Sequence, residues 1–290
     1  LGLAYADLDQ TKKAIEYYEQ ALAIAREIGD RRGEGNRLGN LGGAYAGLGD
    51  TKKAIEYYEQ ALIISREIGD RRGESAHLGN LGNAYAELGE TRKAIEYHEQ
   101  ALDISREIGD KSGEGADLGN LGLAYAGLGE TRTAIECHEQ ALAIAREIGD
   151  KQNECEFLCN LGKAYLDLKE IYRTIESCTQ SIDLARKIEY RKGEADALCT
   201  LGRAFTIRGD LPQALDHCDQ ALKIFKAIEY PKGEAEALFA RSLALDGLDR
   251  RTEAVACAEE ALQIFMKIEN HQVEKVRLQL EAWKPSEQES

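Results

Sequence analysis

The sequence predicts an all-α solenoid in which antiparallel helix pairs stack on one another. Three observations lead to this prediction. The chain repeats itself every 40 residues, the apolar residues inside each repeat follow helical spacing, and a glycine followed by an acidic residue interrupts that spacing twice in the best-preserved copies. A period of this length is typical of repeats that each cover the apolar face of a neighbour.

The register of the repeat is clear because residues 41–70 and 81–110 differ at only six of thirty positions. It divides the chain into a truncated first repeat, three well-preserved repeats, three divergent repeats, a capping helix and a disordered tail. The predicted bounds are 1–30, 31–70, 71–110, 111–150, 151–190, 191–230, 231–270, 271–284 and 285–290, which makes about seven repeats.

The first helix of a repeat is predicted from Leu38, Leu41, Tyr45 and Leu48, which recur at helical spacing and should form one buried stripe. The next residues end that helix and begin another. Glycine at position 49 suits the left-handed residue past a helix end, and the aspartate after it suits the N-cap of the following helix.

The second helix of the same repeat carries a longer apolar stripe. Its members are Ala54, Ile55, Tyr58, Ala61, Leu62, Ser65 and Ile68. Counting such stripes predicts seven second helices, at Thr11–Ile28, Thr51–Ile68, Thr91–Ile108, Thr131–Ile148, Ile171–Ile188, Leu211–Ile228 and Arg251–Ile268. Pro212 and Pro231 fall in predicted first turns, where a missing N–H costs nothing.

One glycine recurs inside the first helices, as Gly42, Gly82, Gly122, Gly162 and Gly202. A glycine there costs about 1 kcal/mol relative to alanine. We expect it to let the paired second helix approach closely through Ala54 and Ala61.

Composition excludes several kinds of partner. The formal net charge is -15, which argues against nucleic acid and anionic membranes, since both require clustered lysine and arginine. No apolar run is long enough to span a membrane. The seven cysteines include no CxxC pair, so we expect reduced thiols and a cytoplasmic location. The chain starts in the middle of a repeat, so we expect it to be a piece of a longer protein that ends naturally.

Leu41, Gly42, Tyr45, Ala54 and Tyr58, together with Ala61, resemble the signature of the tetratricopeptide repeat (TPR) family. The repeat length and the segments "GNLGNAY" and "AIEYHEQAL" are most similar to the G-protein-signalling-modulator (Pins-like) and kinesin-light-chain groups, and similar arrays form sensor regions of signalling ATPases. The resemblance implies a right-handed superhelical solenoid whose first helices line a concave groove for peptides. It also implies a nucleotide-binding or effector domain ahead of the chain, and no chemistry in the repeats themselves.

An asparagine recurs in register on the groove-facing side of the first helices. It occurs as Asn40, Asn80, Asn120 and Asn160, and Asn36 and Asn83 lie on the same face. Each amide offers one acceptor and two donors, so a row of them can pair with a peptide backbone regardless of its side chains. Neighbouring glycines would leave room for that backbone. The alternative is that each amide bridges to a neighbouring helix of the same chain.

The divergent repeats give the predicted groove a charged character. Lys163 and Arg203 oppose an acidic row that includes Glu156 and Asp196. Beside Asn160, this pair resembles a sparse version of the carboxylate clamp of some TPR proteins. Pins-like proteins instead carry arginines at the positions where this chain has Asn36, two alanines and then acids, which argues against their acidic-peptide specificity.

Catalytic, metal and cofactor sites are not expected. Cys155, Cys159 and Cys199 lack the spacing of a zinc site and have no histidine beside them. His98 and His138 replace Tyr58 at a core-facing position, and "GLGDTKKA" lacks the order of residues in a phosphate loop.

We therefore expect a non-enzymatic module that binds a protein or peptide segment in its concave groove, as the C-terminal sensor or scaffold region of a larger intracellular signalling protein. The alternative is a self-association scaffold, in which exposed ends of the solenoid bind another copy. In that case Leu1, Tyr5 and Leu8 would lie at the exposed end.

Overall fold

Helices account for all the regular structure in the part of the chain that the computed structural model describes, namely residues 11–268, 270 and 272–283. There are fourteen in these ranges: α1 (Thr11–Ile28), α2 (Arg31–Gly47), α3 (Thr51–Glu67), α4 (Arg71–Glu87), α5 (Thr91–Glu107), α6 (Lys111–Gly127), α7 (Thr131–Ile148), α8 (Lys151–Asp167), α9 (Ile171–Lys187), α10 (Arg191–Arg208), α11 (Leu211–Ala227), α12 (Pro231–Gly247), α13 (Arg251–Lys267) and α14 (Val273–Ala282). The all-α prediction is confirmed, and each predicted second helix ends within one residue of its expected position.

Some predictions fall on residues outside these ranges. Leu1, Tyr5 and Leu8, the residue at 271 and the predicted tail at 285–290 belong to this group. The terminal helix α14 lies inside the predicted capping segment.

The chain divides into two compact units, Leu1–Ile148 and Gly149–Ser290, which we call unit one and unit two. In unit one, every first helix (α2, α4 and α6) packs against the second helix of its own repeat and that of the repeat before it. Successive first helices also contact each other, whereas successive second helices in the described part of the unit do not pack closely. The first helices therefore line the inner face of the stack in unit one.

Unit two follows the same packing rules. The first helices α8, α10 and α12 contact one another in sequence, each also packs against its own second helix, and α14 packs against α13. First helices therefore line the inner face here as well. None of the fourteen helices combines the length and apolar character that crossing a lipid bilayer requires.

Repeated capping chemistry sets the helix starts. The Asp30 carboxylate accepts a hydrogen bond from the backbone N–H of Gly33 at 2.9 Å, and Asp50 accepts one from Lys53 at 3.3 Å. Gly29 and Gly49, which precede these caps, have φ of +70° and +78°. These left-handed residues end one helix and the aspartate begins the next, as predicted.

Most residues of the predicted apolar stripes are buried, Tyr45 and Ile68 are half-buried, and one is exposed. Leu38, Leu41, Ala54 and Ala61 are at most 1% exposed. Leu48 was predicted to be part of the stripe, but it is 47% exposed. It follows the last residue of α2 as the C-cap, where the chain turns away from the core, so helical spacing no longer determines its direction.

The glycine inside the first helices of repeats two to six lies against a side chain from its paired second helix. A Cβ at Gly42 would lie 2.6 Å from the ring of Tyr58, and a Cβ at Gly82 would lie 2.6 Å from the ring of His98. The predicted packing role is therefore confirmed. At these two glycines the nearest side chain is a ring of the second helix, whereas at Gly202 the backbone of Ala214, the equivalent of Ala54, lies 3.2 Å from a Cβ.

A row of ion pairs links consecutive repeats and was not anticipated from the sequence. Arg26 donates to Glu34 at 2.8 Å and Arg66 donates to Glu74 at 2.9 Å. Because Arg26 and a second cation, Arg31, both bond to Glu34, the pKa of this nearly buried carboxyl lies below its ordinary value. The arginines are half exposed, so solvent weakens each pair to about 1 kcal/mol or less.

The glycine contact predicts opposite outcomes for two alanine substitutions. Gly82→Ala should lower the free energy of unfolding by about 1–3 kcal/mol, since the His98 ring leaves no space for a Cβ. Gly127→Ala is the matched control, because nothing lies within 4 Å of a Cβ there. It should leave stability unchanged or raise it by up to about 1 kcal/mol. Urea denaturation followed by circular dichroism measures both, and equal midpoints would contradict the close-contact account.

Candidate binding groove

The predicted asparagines of unit one lie on its first helices, away from the core. Position 40 is rotated by about 200° from position 42 around a helix, and Gly42 faces the second helix. Asn40 therefore points away from that helix. Asn40, Asn80 and Asn120 are half-buried, and Asn36 and Asn83 are exposed. We call these five residues the amide surface.

The amides of the repeated asparagines have no partner in the described part of the protein. None of the side chains of Asn40, Asn80, Asn120 and Asn160 forms a hydrogen bond to another described residue. None of these amide atoms is both shielded from solvent and without a hydrogen-bond partner. The structure thus contains no bridge from these amides to a neighbouring helix, and their donors and acceptors face open space.

The two glycines beside Asn40 and Asn80 differ in their surroundings. A Cβ at Gly39 would lie 2.7 Å from the ring of His77, which comes from the next first helix, so this glycine allows close packing between repeats. At Gly79, a Cβ would lie 3.5 Å from the Asp117 carboxylate, which is an ordinary contact distance. That these glycines leave room for a ligand backbone stays a prediction.

Unit two has a different surface on its first helices, which we call the charged surface. It consists of Asn160, Lys163 and Arg203 with three acidic residues, Glu156, Asp196 and Glu236. All six side chains are half-buried. The carboxylates of Asp196 and Glu236, after Cys159, raise the pKa of Lys163, so its ammonium group is charged at neutral pH.

The acids of the charged surface bond to residues other than the predicted basic pair. Tyr190 donates from its phenol to Glu156 at 2.6 Å, and Lys192 donates to Asp196 at 3.2 Å. Lys163 and Arg203 form no ion pair within 4.0 Å in the described part of unit two. The predicted basic and acidic rows therefore do not form direct ion pairs with each other.

Tyr190 and Lys192 were missed at the sequence level, although a signal was present. The segment "IGDRRGE" of the earlier repeats becomes "IEYRKGE" here, so Tyr190 stands where Asp70 caps a helix. Tyr190 makes no side-chain cap, and its hydroxyl bonds to Glu156 instead. Burial, followed by this hydrogen bond, raises the pKa of Tyr190, so the phenol remains a proton donor.

All seven cysteines are free and buried. The Cys155 thiol lies 3.2 Å from the hydroxyl of Ser181, so it packs in the core beside a polar group. Within the described ranges no group of three or more His, Cys, Asp or Glu side chains is arranged to hold a metal ion. His98 and His138 are 2% and 1% exposed, so the prediction that they are packed core residues is confirmed.

Comparison with known proteins identifies the family. The tetratricopeptide repeat model matches residues 1–67, 38–107, 73–147 and 153–227, so the chain belongs to the tetratricopeptide repeat family. Solenoids of this family are generally non-enzymatic modules that bind protein partners. No curated protein matches the chain at a significant level.

Solved structures similar to the chain share its fold at low sequence identity. A Signal Transduction ATPase with Numerous Domains (STAND) protein with a tetratricopeptide repeat sensor, from Pyrococcus horikoshii, is 20% identical with a TM-score of 0.77, and the match covers 98% of this chain but 43% of that protein. The apo form of RapI is 16% identical over 92% of this chain and 96% of that chain, with a TM-score of 0.79. Kinesin light chain TPR-like repeats from Podospora anserina are 21% identical over 67% of this chain and 95% of that chain, with a TM-score of 0.57. The predicted resemblance to kinesin light chain and to sensor arrays is confirmed at the level of fold.

Burial of the thiols in unit two predicts slow alkylation. Burial is the main cause that raises the pKa of Cys159 to about 11 and that of Cys199 to about 12. At about pH 8, roughly a thousandth or less of either group is thiolate, which is the reactive form. Iodoacetamide should therefore leave both residues unmodified in the folded chain, as measured by mass spectrometry.

The control is an Ala23→Cys variant, because Ala23 is exposed. The added thiol should react at the rate of a free cysteine, and all cysteines should react in denaturant. Equal labelling of Cys159 and the added cysteine under native conditions would show that the reagent reaches the Cys159 thiol in the folded chain.

Proposed function

We propose that the amide surface of unit one binds an extended peptide or partner segment through its backbone. The observation that carries the proposal is the repeated half-buried asparagine whose amide has no partner among the described residues. One acceptor and two donors on each amide match the C=O and N–H groups of a peptide. A neutral hydrogen bond contributes about 0.5–1.5 kcal/mol, so several in a row give useful affinity without selecting side chains.

The spacing of the asparagines suits an extended ligand. Packed helices lie about 8–10 Å apart, and an extended chain advances about 3.3–3.6 Å per residue. One asparagine per repeat therefore meets a bound backbone roughly every third residue. A peptide of about ten residues would contact all three repeated asparagines of unit one.

The charged surface of unit two supports a more specific role. We propose that Lys163 and Arg203, next to Asn160, bind an acidic side chain or terminal carboxylate of a ligand. Both cations are half-buried without a paired carboxylate within 4.0 Å, and a charged hydrogen bond is roughly twice as strong as a neutral one. The acidic residues around them would reject ligands with further negative charges.

We also propose that the chain is the sensor or scaffold region of a larger signalling protein in the cytoplasm. The array in the STAND protein is described as a sensor, and this chain spans 43% of that protein. A binding module that recognises peptide backbone suits such a role, because occupancy of the inner face can be transmitted through contacts between successive first helices.

Removal of two asparagines should weaken peptide binding without loss of stability. A peptide of about ten residues, selected from a random library on the wild-type chain, serves as the probe. Asn80→Ala combined with Asn120→Ala should cost roughly 1–3 kcal/mol of binding, or about 5- to 150-fold in Kd. The melting temperature should not fall, because neither amide bonds to the protein and alanine favours the helix.

The matched control removes two amides from the second helices. Gln60→Ala combined with Gln100→Ala deletes exposed amides that bond only to Glu56 and Glu96 of their own helices. This variant should bind the peptide as the wild type does. The proposal would fail if the asparagine variant melted lower and bound with unchanged affinity, because the asparagines would then be structural.

A further inference from the structure

An aromatic pair with a cation over it joins the two helices in repeats two and three. Tyr45 stacks on Tyr57 with ring centroids 5.4 Å apart, and Lys53 lies 3.9 Å from the centroid of Tyr45. In the next repeat Tyr85 stacks on Tyr97 at 5.2 Å, with Lys93 at 4.8 Å from Tyr85. The first-helix tyrosine thus has one face covered by a ring and is also near a cation.

Repeat four keeps the first tyrosine and lacks both of its companions. Tyr125 is present, but Cys137 stands in place of Tyr97 and Thr133 in place of Lys93. In repeat five, Arg173 again supplies a cation, 4.0 Å from the centroid of Tyr165. Repeat five thus keeps the cation, although Ser177 replaces the ring, whereas Tyr125 of repeat four has neither companion.

A cleft of about 400 Å³ occupies the vacated space between α5, α6 and α7, all in unit one. Leu118, Leu121 and Tyr125 of the first helix form part of its lining. The equivalent cleft between α1 and α3 is lined by Tyr57 and by no first-helix residue. Loss of the second ring thus opens the cleft down to the first helix, on the side opposite to the amide surface.

The charges of the cleft complement a cation. Glu99 and Asp103 line it, and the positions equivalent to Asp103 in earlier repeats are uncharged, Ala23 and Ile63. Arg106 is the basic residue of the lining, and it is engaged by Glu114 at 3.0 Å and by the amide of Gln140 at 3.4 Å. Glu99 accepts a hydrogen bond from the Tyr125 hydroxyl at 3.1 Å, which places a carboxylate at the edge of the open ring.

We propose that this cleft binds an arginine side chain of a partner protein. A guanidinium plane can stack on the face of Tyr125 while its N–H groups reach the carboxylates of Glu99 and Asp103. The chain contains the same contact internally, since Arg173 lies over Tyr165 and donates to its hydroxyl at 2.7 Å. The bound arginine would replace the cation that repeat four lacks, and it would engage a face of the protein that the peptide-binding proposal does not use.

The test uses N-acetylarginine methylamide as a probe of the wild-type chain, followed by nuclear magnetic resonance. The neutral citrulline analogue has nearly the same shape and serves as the ligand control. The arginine probe should shift the ring signals of Tyr125 in a saturable manner, with a Kd below about 100 mM. The citrulline analogue should bind about tenfold more weakly or not at all.

Two variants should block the cleft by restoring what the neighbouring repeats contain. Thr133→Lys supplies the missing cation and Cys137→Tyr supplies the missing ring, and each should weaken the arginine probe by about tenfold or more. Ala143→Lys adds the same charge at an exposed position of α7 outside the lining and should bind as the wild type does. Thermal melting establishes that each variant is folded.

Three results would overturn the proposal. These are the absence of saturable binding up to about 100 mM probe, equal binding of the citrulline analogue, and unchanged binding in a folded Thr133→Lys or Cys137→Tyr variant. Binding that Ala143→Lys weakens as much as Thr133→Lys would also contradict it, because the effect would then be general charge repulsion.

Discussion

The contact between the glycine of a first helix and a side chain of its second helix determines the geometry of repeats two to six. The ring of Tyr58, His98 or His138 lies where a Cβ of Gly42, Gly82 or Gly122 would be. This contact sets the rotation of the first helix about its own axis. Once the glycine faces inward, the leucines beside it are buried and the asparagine two positions earlier faces away. The amide surface is thus a consequence of the packing contact.

Much of the fold was predictable because it depends on short-range rules that recur. Helical spacing, N-cap aspartates and left-handed glycines each act within a few residues, so they placed the second helices to within one residue. Leu48 shows where spacing fails, since the helix ends just before it. The rings beside Gly42 and Gly39 were not anticipated for a different reason. Each ring comes from another helix, and a sequence pattern does not specify which side chain reaches across.

The candidate site was predictable in part for the same reason. The in-register asparagines could be identified from the period alone, and the structure places them on the first helices with free amides. The bonding of the charged surface could not be anticipated, because the residues that engage Glu156 and Asp196 lie at the N-terminal end of α10, where Tyr190 replaces a capping aspartate and Lys192 lies in the first turn. Positions at which one repeat differs from the others therefore point to surfaces that only this repeat presents. The same holds in repeat four, where Cys137 and Thr133 open the cleft beside Tyr125.

The most direct test of backbone recognition replaces single peptide bonds of the selected peptide by esters and measures the Kd of each. An ester lacks the N–H donor and has a weaker acceptor, while the side chains stay the same. Esters at positions facing Asn80 and Asn120 should weaken binding by about 2- to 12-fold each, whereas alanine substitutions of the side chains there should have little effect. The opposite result, with ester replacement tolerated and side-chain changes decisive, would contradict the account.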